Sequence, residues 1–376
     1  MNDKTGPARE HLRPSIMPSP RQLDVEITHR CNLKCAYCYY YGQDHAGYRD
    51  IHTDGWMGLW EECGEAGVMR VNLAGGEPFI RDDLGTLLDG IVRNRMRFTI
   101  LSNGGLVGDS LASFISGTGR CDAVQISLDG SRPEVHDALR GEGSFRAAVR
   151  GIRTLQRHGV PVAVRVTVHR RNVSDLGNIA VFLLEELGLP GFSTNAAGAI
   201  GSCTGRDGDV LLDTRLRQEA MERLLELDEE YCGRISASAG PLADARMWRR
   251  MEEARAAGDP PFPNGGRLTA CGCFRSTLAV RSDGAFVPCS MLAHEVLGYA
   301  GRDRLIDVWR SSPVLEGMRE RVNIPLESFE ECSGCPWAGY CTGNCPAMAY
   351  ALTGCVDRPG PDACLRRFLG DGGRIP

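Results

Sequence analysis

The chain has 376 residues, of which 42% are hydrophobic and 24% are charged, and its net charge is −5. This is the composition of a globular protein with room for two domains, and the charge gives no reason to expect a nucleic acid or an acidic membrane as a partner. No apolar run approaches the ~20 residues of a membrane span, and the N-terminus lacks the apolar core of a signal peptide. Without an export signal, sixteen cysteines predict reduced metal ligands in a cytoplasmic protein rather than disulfides.

The first 200 residues divide into a short arm and a repeating pattern. Residues 1–20 contain four prolines and no hydrophobic periodicity, which predicts a flexible arm. From residue 21 to residue 200, runs typical of β-strands alternate with amphipathic stretches typical of helices. The predicted strands are residues 23–28, 68–74, 98–102, 123–128, 162–168 and 191–195, and the clearest predicted helices are 83–96, 145–158 and 176–187.

This alternation predicts an α/β fold with parallel strands and right-handed crossovers. About six units fit a partial (β/α)6 barrel similar to a TIM barrel, because a closed barrel of eight units takes ~250 residues. Residues 201–265 are predicted to form a helical connector, with a helix at 214–231 and a Pro- and Gly-rich end at 259–266. Residues 266–376 are rich in cysteine and short of periodicity, which predicts a small domain held together by metal ligands.

Three cysteines directly follow the first predicted strand. Cys31, Cys35 and Cys38 have the spacing C-x-x-x-C-x-x-C, and thiolates are soft ligands that select iron–sulfur clusters, zinc or Cu(I). Four thiolates normally close a 4Fe–4S cluster, so three on one loop predict a cluster with an open corner. A zinc site or unrelated buried thiols are the alternatives at this point.

A second group of cysteines lies near the C-terminus. Paired C-x-x-C spacings in this group also suit zinc, but two thiolate-rich regions in one chain, one of them left open, favour iron–sulfur chemistry. The group consists of Cys271, Cys273, Cys289, Cys332, Cys335, Cys341, Cys345, Cys355 and Cys364.

Polar motifs follow several predicted strands, where parallel sheets gather their reacting groups. The run Gly75-Gly76-Glu77-Pro78 follows the second strand, and its glycines permit close backbone approach while its carboxylate suits a cation. The alternative for each motif is a turn whose polar residues cap the strand and have no role in function. The other motifs are Ser102-Asn103-Gly104 and Ser127-Leu128-Asp129-Gly130 after the third and fourth strands, His136-Asp137 followed by Arg140, and Asn195 at the end of the sixth strand.

Together these motifs resemble those of the radical SAM superfamily, in which an aromatic residue such as Tyr37 precedes the last cysteine of the triplet. The resemblance implies that Cys31, Cys35 and Cys38 hold a catalytic 4Fe–4S cluster whose open iron binds S-adenosylmethionine. Reductive cleavage of that cofactor then yields a 5′-deoxyadenosyl radical, which abstracts a hydrogen atom from the substrate. The cofactor carries the difficult chemistry, and the protein positions and shields it.

The same resemblance assigns cofactor contacts to the strand ends. Gly75, Gly76, Glu77 and Pro78 hold the methionine ammonium group. Arg140 is a candidate for binding the cofactor carboxylate, with an ordinary solvated arginine as the alternative, and Asn195 faces the cavity. The contacts to the ribose and methionine moieties come from Ser102, Asn103, Ser127 and Asp129, beside Tyr37.

The C-terminal region resembles a SPASM domain, an α+β module that binds two auxiliary 4Fe–4S clusters. Cys273 departs from the family pattern: it either closes the first cluster, replaces Cys271, or leaves an open iron. Cys355 is an alternative to Cys364. The resemblance assigns Cys271, Cys289 and Cys345 to the first auxiliary cluster, and Cys332, Cys335, Cys341 and Cys364 to the second.

The remaining cysteines and the tyrosines after the triplet have simpler predicted roles. Cys203 is a weaker candidate for a hydrogen-atom donor. The tyrosines either shield the cluster or pack in the core. The four cysteines predicted to be core thiols are Cys63, Cys121, Cys203 and Cys232, and the tyrosines are Tyr39, Tyr40 and Tyr41.

Members with two auxiliary clusters mostly modify peptides, so the resemblance implies crosslinking, epimerisation or dehydrogenation of a short, ribosomally synthesised precursor peptide. Segments such as F-S-T-N-A-A and C-T-G-N-C-P-A-M-A-Y look like those of the SynChlorMet cassette radical SAM/SPASM proteins of the ScmE type. Implied partners are an electron donor such as flavodoxin or ferredoxin and a precursor peptide. Because the arm is too short for a winged-helix domain, leader recognition would need a separate protein or the SPASM surface. Oxidation or epimerisation of a sugar or aminocyclitol is the alternative, and a non-catalytic metal scaffold is a third hypothesis.

Overall fold

The computed structural model describes residues 16–40, 48–204 and 207–376. Within these residues, one ten-stranded sheet runs through the molecule in the order β10-β9-β8-β1-β2-β3-β4-β5-β6-β7. Its strands are β1 Gln22–Glu26, β2 Arg70–Ala74, β3 Arg97–Ser102, β4 Cys121–Ser127, β5 Val162–Val168, β6 Phe192–Ala196, β7 Ile235–Ala237, β8 Thr277–Val280, β9 Ala285–Val287 and β10 Gly298–Tyr299.

The six predicted strands are all present, and each pairs in parallel with the next along the chain from β1 to β6. This confirms the predicted α/β fold with a partial barrel at its centre. A seventh parallel strand, β7, pairs with β6 and lies inside the predicted connector. It was not predicted because three residues are too few to show a period of two.

Helices connect the parallel strands. The predicted helix at 176–187 begins as α6 and continues as a π-helical turn, Phe182–Glu186. The helices are α1 Thr53–Ala66, α2 Leu84–Arg93, α3 Asp109–Thr118, α4 Pro133–Arg140, α5 Ser144–Arg157, α6 Leu176–Val181, α7 Asp207–Val210, α8 Thr214–Glu230, α9 Pro241–Ala257, α10 Leu305–Ser311, α11 Pro313–Glu320, α12 Pro346–Thr353 and α13 Leu365–Gly370.

The two faces of the parallel strands differ in chemistry because successive side chains point to opposite faces. On β1, Leu23 and Val25 are fully buried in the main core, which also contains Trp56 and Trp60 of α1. The opposite face, called the inner face from here on, is polar. Its residues include Asp24, Glu26, Asn72, Gln125, Ser127, Arg165, Thr167, Ser193 and Asn195.

The C-terminal region continues the sheet of the barrel. Strand β8 pairs in parallel with β1, from Gln22 opposite Thr277 to Val25 opposite Val280, and β9 then pairs with β8 in the antiparallel sense. Of the predicted arm, only residues 16–20 are described, and Met17 is hydrogen bonded to this region through Arg275 and Trp309. The domain boundaries at residues 200 and 265 remain predictions from the sequence.

In the part of the chain that the structure describes, no helix is both long and apolar enough to cross a membrane.

Candidate active site

The loop after β1 carries the cysteine triplet. Cys31, Cys35 and Cys38 are all partly exposed. The backbone N–H of Leu33 donates to the Sγ atom of Cys31 at 3.4 Å, and that of Cys38 donates to the carbonyl of Cys35 at 3.2 Å. Burial raises the pKa of Cys31 to about 11, so its thiolate form requires a nearby cation such as a metal centre.

The turn after β2 lies directly against the start of this loop. The backbone N–H of Gly76 donates to the carbonyl of Thr28, and that of Glu77 donates to the carbonyl of Arg30, both at 2.8 Å. A Cβ atom on Gly75 or Gly76 would lie well inside 3.0 Å of those two carbonyl oxygens, and Gly75 has a φ of 125°. Only glycine fits these positions, so the turn and the cysteine loop are held as one unit.

Glu77 joins this unit to the end of β3. Its side chain is fully buried and accepts hydrogen bonds from Ser102 Oγ and the Asn103 N–H, both at 2.8 Å, and from the Phe79 N–H at 3.1 Å. Burial raises the pKa of Glu77, and these donors partly offset the increase. The Asn103 amide in turn lies 4.0 Å from Cys31 Sγ. The structure therefore brings the predicted motifs of β2 and β3 together beside the triplet.

The end of β4 forms a buried charged cluster. Arg140 Nε lies 2.5 Å from Asp129 Oδ2, which also accepts a hydrogen bond from the Tyr37 hydroxyl. Burial acts to raise the pKa of Asp129, but Arg140 and His136 outweigh it and hold the value at about 2. Arg140, proposed from sequence as a cofactor-binding cation, therefore has its charge balanced by an internal carboxylate.

The neighbouring strand supplies a cation that the sequence motifs did not indicate. Arg165 lies on the inner face between Ser127 of β4 and Ser193 of β6. Among the described residues, its side chain donates one hydrogen bond, from Nε to Ser193 Oγ at 3.4 Å, and burial lowers its pKa. Asn195 follows on the same face, and its buried Oδ1 atom has no hydrogen bond within the described residues. The sequence feature that could have identified Arg165 is a charged residue in a strand whose residues alternate between buried and partly exposed.

Glu26 is a second inner-face residue without a sequence signal of function. Its side chain is 1% exposed, and the Tyr39 side chain interacts with it as a hydrogen-bond donor. Burial raises its pKa to about 8, although Arg281 lowers it and Asp283 raises it further. Tyr39, the residue after the triplet, adjoins it and lowers the pKa slightly. Glu26 therefore carries a proton at neutral pH.

Four cysteines of the C-terminal region lie close to one another. Cys271 Sγ lies 3.3 Å from Cys273 Sγ, and the charges of Cys289 and Cys345 act on Cys273. The thiol of Cys273 lowers the pKa of Cys271 to about 6, whereas burial raises that of Cys289 to about 12. Asp24 on β1 is near enough to affect both Cys271 and Cys289. The geometry thus places Cys273 among the three cysteines assigned to the first auxiliary cluster.

The second set of cysteines is separate from the first. Cys332 and Cys341 interact electrostatically with each other and with Cys335 and Cys364, and burial raises the pKa of Cys332 to about 12. Cys355 instead lies with Cys273 and Cys345, around the side chain of Arg321. This arrangement favours Cys364 over Cys355 in the second set.

The four remaining cysteines do not all match their predicted role. Cys63, Cys121 and Cys203 are buried, but Cys232 is exposed, so the prediction of a core thiol there was wrong. Cys232 follows the end of α8 with a φ of 52°, and this left-handed turn directs the residue away from the core. Cys203 lies against the cysteine loop, with its Sγ atom 3.8 Å from the Ala36 carbonyl.

The tyrosines after the triplet are only partly described. Tyr40 is buried, and its hydroxyl lies 3.4 Å from Ser282 Oγ in the C-terminal region. Tyr41, the third tyrosine of the prediction, lies outside the described residues. In the described ranges, no three histidine, cysteine or carboxylate side chains converge tightly enough to hold a single metal ion. The thiol-only donor sets suit clusters, whose several irons lie between their ligands.

Comparison with known families agrees with this geometry. A model of the radical SAM superfamily matches residues 25–183, and a model of SPASM, an iron–sulfur cluster-binding domain, matches residues 271–336. The site therefore defines an enzyme that uses S-adenosylmethionine with a 4Fe–4S cluster and also binds auxiliary iron–sulfur clusters. The chain belongs to the radical SAM superfamily and carries a SPASM domain, as predicted from its sequence.

Characterised relatives match over nearly the whole chain. The mycofactocin maturase MftC of Mycobacterium ulcerans is 28% identical over 373 residues, which cover 94% of this chain and 89% of that protein. The Fe-coproporphyrin III synthase of Methanosarcina barkeri is 28% identical over 354 residues, covering 91% and 87%. Streptococcus suis SuiB bound to its precursor peptide SuiA has the same fold, with a TM-score of 0.71 at 17% identity over 93% of this chain and 77% of that one.

Proposed function

We propose that this enzyme modifies a ribosomally synthesised precursor peptide by crosslinking, epimerising or dehydrogenating it. The observation that supports the proposal is the pairing of β8 with β1, together with the proximity of Cys271 and Cys289 to Asp24 on the inner face. Relatives that combine these modules include MftC, a PqqA peptide cyclase of Ruegeria pomeroyi and the subtilosin biosynthesis protein AlbA of Bacillus subtilis. A resemblance to the SynChlorMet cassette proteins of the ScmE type remains a prediction.

The cysteine loop and the strand ends hold the cofactors in this proposal. S-adenosylmethionine at the open iron supplies the one-electron chemistry that removes a hydrogen atom from the substrate. Cys31, Cys35 and Cys38 bind the cluster. The turn Gly75–Pro78 presents backbone groups and the Glu77 carboxylate to the methionine ammonium group. The other proposed cofactor contacts are Tyr37, Ser102, Asn103, Ser127, Asp129, Arg140 and Asn195.

Two arginines are candidates for binding the cofactor carboxylate. Arg140 is already paired with Asp129, and a guanidinium whose charge is balanced by a carboxylate attracts a second anion only weakly. Arg165 has no acidic partner among the described residues and stands beside Ser127 on the next strand. We therefore assign the main carboxylate contact to Arg165 and give Arg140 the role of fixing Asp129 and Tyr37.

The inner face also has a group that can hold a proton. Glu26 is protonated at neutral pH, and the Tyr39 side chain interacts with it as a hydrogen-bond donor. It lies between Tyr39, at the end of the cysteine loop, and Asp24, beside the first auxiliary cysteines. We propose that the Glu26 carboxyl exchanges a proton with the bound substrate from this position.

Modification of a small molecule is the second candidate function. It is favoured by two relatives from Methanosarcina barkeri, named Fe-coproporphyrin III synthase and AdoMet-dependent heme synthase. A sugar or aminocyclitol substrate remains a prediction from sequence. For the peptide hypothesis, the proposed partners are an electron donor such as flavodoxin or ferredoxin and a separate protein, or the SPASM surface, that recognises the leader sequence.

The test begins with a search for a short precursor peptide encoded beside this gene, followed by mass analysis of that peptide after anaerobic incubation with the reconstituted enzyme and S-adenosylmethionine. Loss of two hydrogens would indicate a crosslink or a dehydrogenation. An unchanged mass in water with deuterium uptake in D2O would indicate epimerisation. The Cys35→Ala protein is the control. A peptide that stays unmodified in both solvents while 5′-deoxyadenosine accumulates would contradict the proposal.

A further inference from the structure

Arg321 is a buried arginine whose side chain is only partly satisfied. It lies in the 3-10 turn Arg321–Asn323 after α11, and its side chain is 1% exposed. Its Nη1 atom donates to the carbonyl of Val356 and lies 3.9 Å from the half-exposed carboxylate of Asp357. Its Nε and Nη2 atoms are buried and have no hydrogen-bond partner among the described residues.

Such a group is unfavourable unless something else accepts these hydrogen bonds. A guanidinium group carries five N–H donors in a fixed plane, and burying them unpaired costs the desolvation of a charged group. The nearby Arg319 shows the usual arrangement. Its Nε atom donates to the carbonyl of Phe274 at 2.7 Å and its Nη2 atom to that of Trp309 at 2.8 Å. Burial alone therefore does not explain the open donors of Arg321.

Arg321 lies within electrostatic range of cysteines assigned to the first auxiliary cluster. The side chains that affect the charge of Arg321 are the Asp357 carboxylate and, more weakly, the thiols of three cysteines: Cys273, Cys345 and Cys355. Cys273 and Cys345 belong to the set that also contains Cys271 and Cys289. Among the described residues, the side chain that affects the charge of Arg319 is Glu316 and not one of these cysteines. A buried arginine with two open donors is thus close to the cysteines assigned to that cluster.

We propose that Arg321 donates hydrogen bonds from Nε and Nη2 to the sulfur atoms of the first auxiliary cluster and raises its reduction potential. The inference rests on the cysteine assignment made above. Hydrogen bonds to the sulfurs and the net charge near a cluster set its potential. A fixed positive charge favours the reduced cluster, which carries one more negative charge. Arg321 therefore makes this cluster a better acceptor for an electron released by the substrate.

A purely structural role predicts something different. Through Val356, Arg321 also anchors the chain that follows α12, and a buried water molecule could satisfy its two open donors. In that case, replacing Arg321 would loosen the fold without a selective change in the cluster's potential. The reduction potential therefore separates the two roles, because it does not depend on enzyme activity.

The experiment is an EPR-monitored redox titration of the full chain, in which Cys31, Cys35 and Cys38 are changed to alanine so that only auxiliary clusters contribute. Arg321→Met is compared with the matched control Arg319→Met. We expect Arg321→Met to make reduction of one cluster at least tenfold less favourable, which is about 59 mV for a one-electron couple. Arg319→Met should change the equilibrium constant for reduction of that cluster less than threefold. Equal shifts in the two variants, or no shift in Arg321→Met, would overturn the proposal.

Two further variants make the result decisive. Cys345→Ala identifies the signal of the first cluster and should remove it together with its iron. If the iron content does not change, the cysteine assignment fails rather than the role of the arginine. If Arg321→Met does not take up iron, Arg321→Gln replaces it, because glutamine keeps an amide donor but removes the charge. A Gln variant with a full iron content and an unshifted potential would refute the proposal.

Discussion

Asp129 and Arg140 form an ion pair that is almost completely buried at the end of β4, with 1% and 8% of their side chains exposed. The Asp129 carboxylate also accepts hydrogen bonds from Tyr37 of the cysteine loop and, at 2.7 Å, from the backbone N–H of Thr167 on β5. One carboxylate thus joins the loop that carries the triplet to two strands of the barrel and one helix.

Replacing this carboxylate should destabilise the protein. Asp129→Asn leaves the Arg140 charge buried without a partner, a change that typically costs about 3–5 kcal/mol. We expect a lower thermal midpoint for the reconstituted protein and a large loss of S-adenosylmethionine cleavage. The control is Asp89→Asn, which removes an exposed pair with Arg93 worth about 0.3–0.5 kcal/mol. Equal midpoints for the two variants would contradict the role of Asp129.

The glycine turn offers a test of steric fit. In Gly76→Ala, the new methyl group would overlap the Arg30 carbonyl, so the turn must move away from the cysteine loop. We expect cofactor cleavage to fall at least a hundredfold, about 2.7 kcal/mol at 1.36 kcal/mol for each factor of ten. Gly117→Ala on α3 is the control, since its methyl group meets no atom within 4 Å. Cleavage by Gly76→Ala at the wild-type rate would show that the turn does not position the cofactor.

Glu26 should make stability depend on pH. Burial raises its pKa to about 8 in the folded protein from an ordinary value of 4.5, so the folded state binds an extra proton between those two pH values. The contribution of Glu26 to stability is therefore complete below about pH 4.5 and is lost as pH rises through 8. The measurement compares the thermal midpoints of wild type and Glu26→Gln from pH 6 to 8.5. As pH rises, the midpoint of wild type should fall relative to that of Glu26→Gln. A constant difference would contradict the raised pKa.

Arg165 can be tested through substrate kinetics. If it binds the cofactor carboxylate, Arg165→Met should raise the KM for S-adenosylmethionine about tenfold, since a charge-assisted hydrogen bond contributes about 1.5–3 kcal/mol. Arg153→Met, on the exposed side of α5, is the control for the loss of a positive charge. An unchanged KM for the cofactor would remove Arg165 from its binding site.

Local patterns in the sequence were enough to predict the barrel strands and the motifs at their ends. The period of two in β5 and the amphipathic period of α5 are properties of neighbouring residues, and the structure has them at 162–168 and 144–157. The cysteine loop and the glycine turn were also visible, because each is a short run of unusual residues.

Contacts between distant residues were not predictable in the same way. The pairing of β1 with β8 joins residues more than 250 positions apart, and nothing in either strand specifies the other. The environment of Arg321 likewise depends on cysteines that come from separate segments. Cys232 was placed wrongly because the tendency of thiols to be buried is an average over many proteins.

The most direct test of the central claim is the amount of 5′-deoxyadenosine formed anaerobically by four proteins with equal S-adenosylmethionine and reductant. These are the wild type, Cys35→Ala, Cys332→Ala and, as a control, Cys63→Ala, which changes a buried thiol outside all three cysteine sets. We predict cleavage by the wild type, Cys332→Ala and Cys63→Ala, and none by Cys35→Ala. Cys332→Ala should nevertheless form no modified product. Full turnover by Cys35→Ala would contradict the assignment of the triplet as the site of cofactor cleavage.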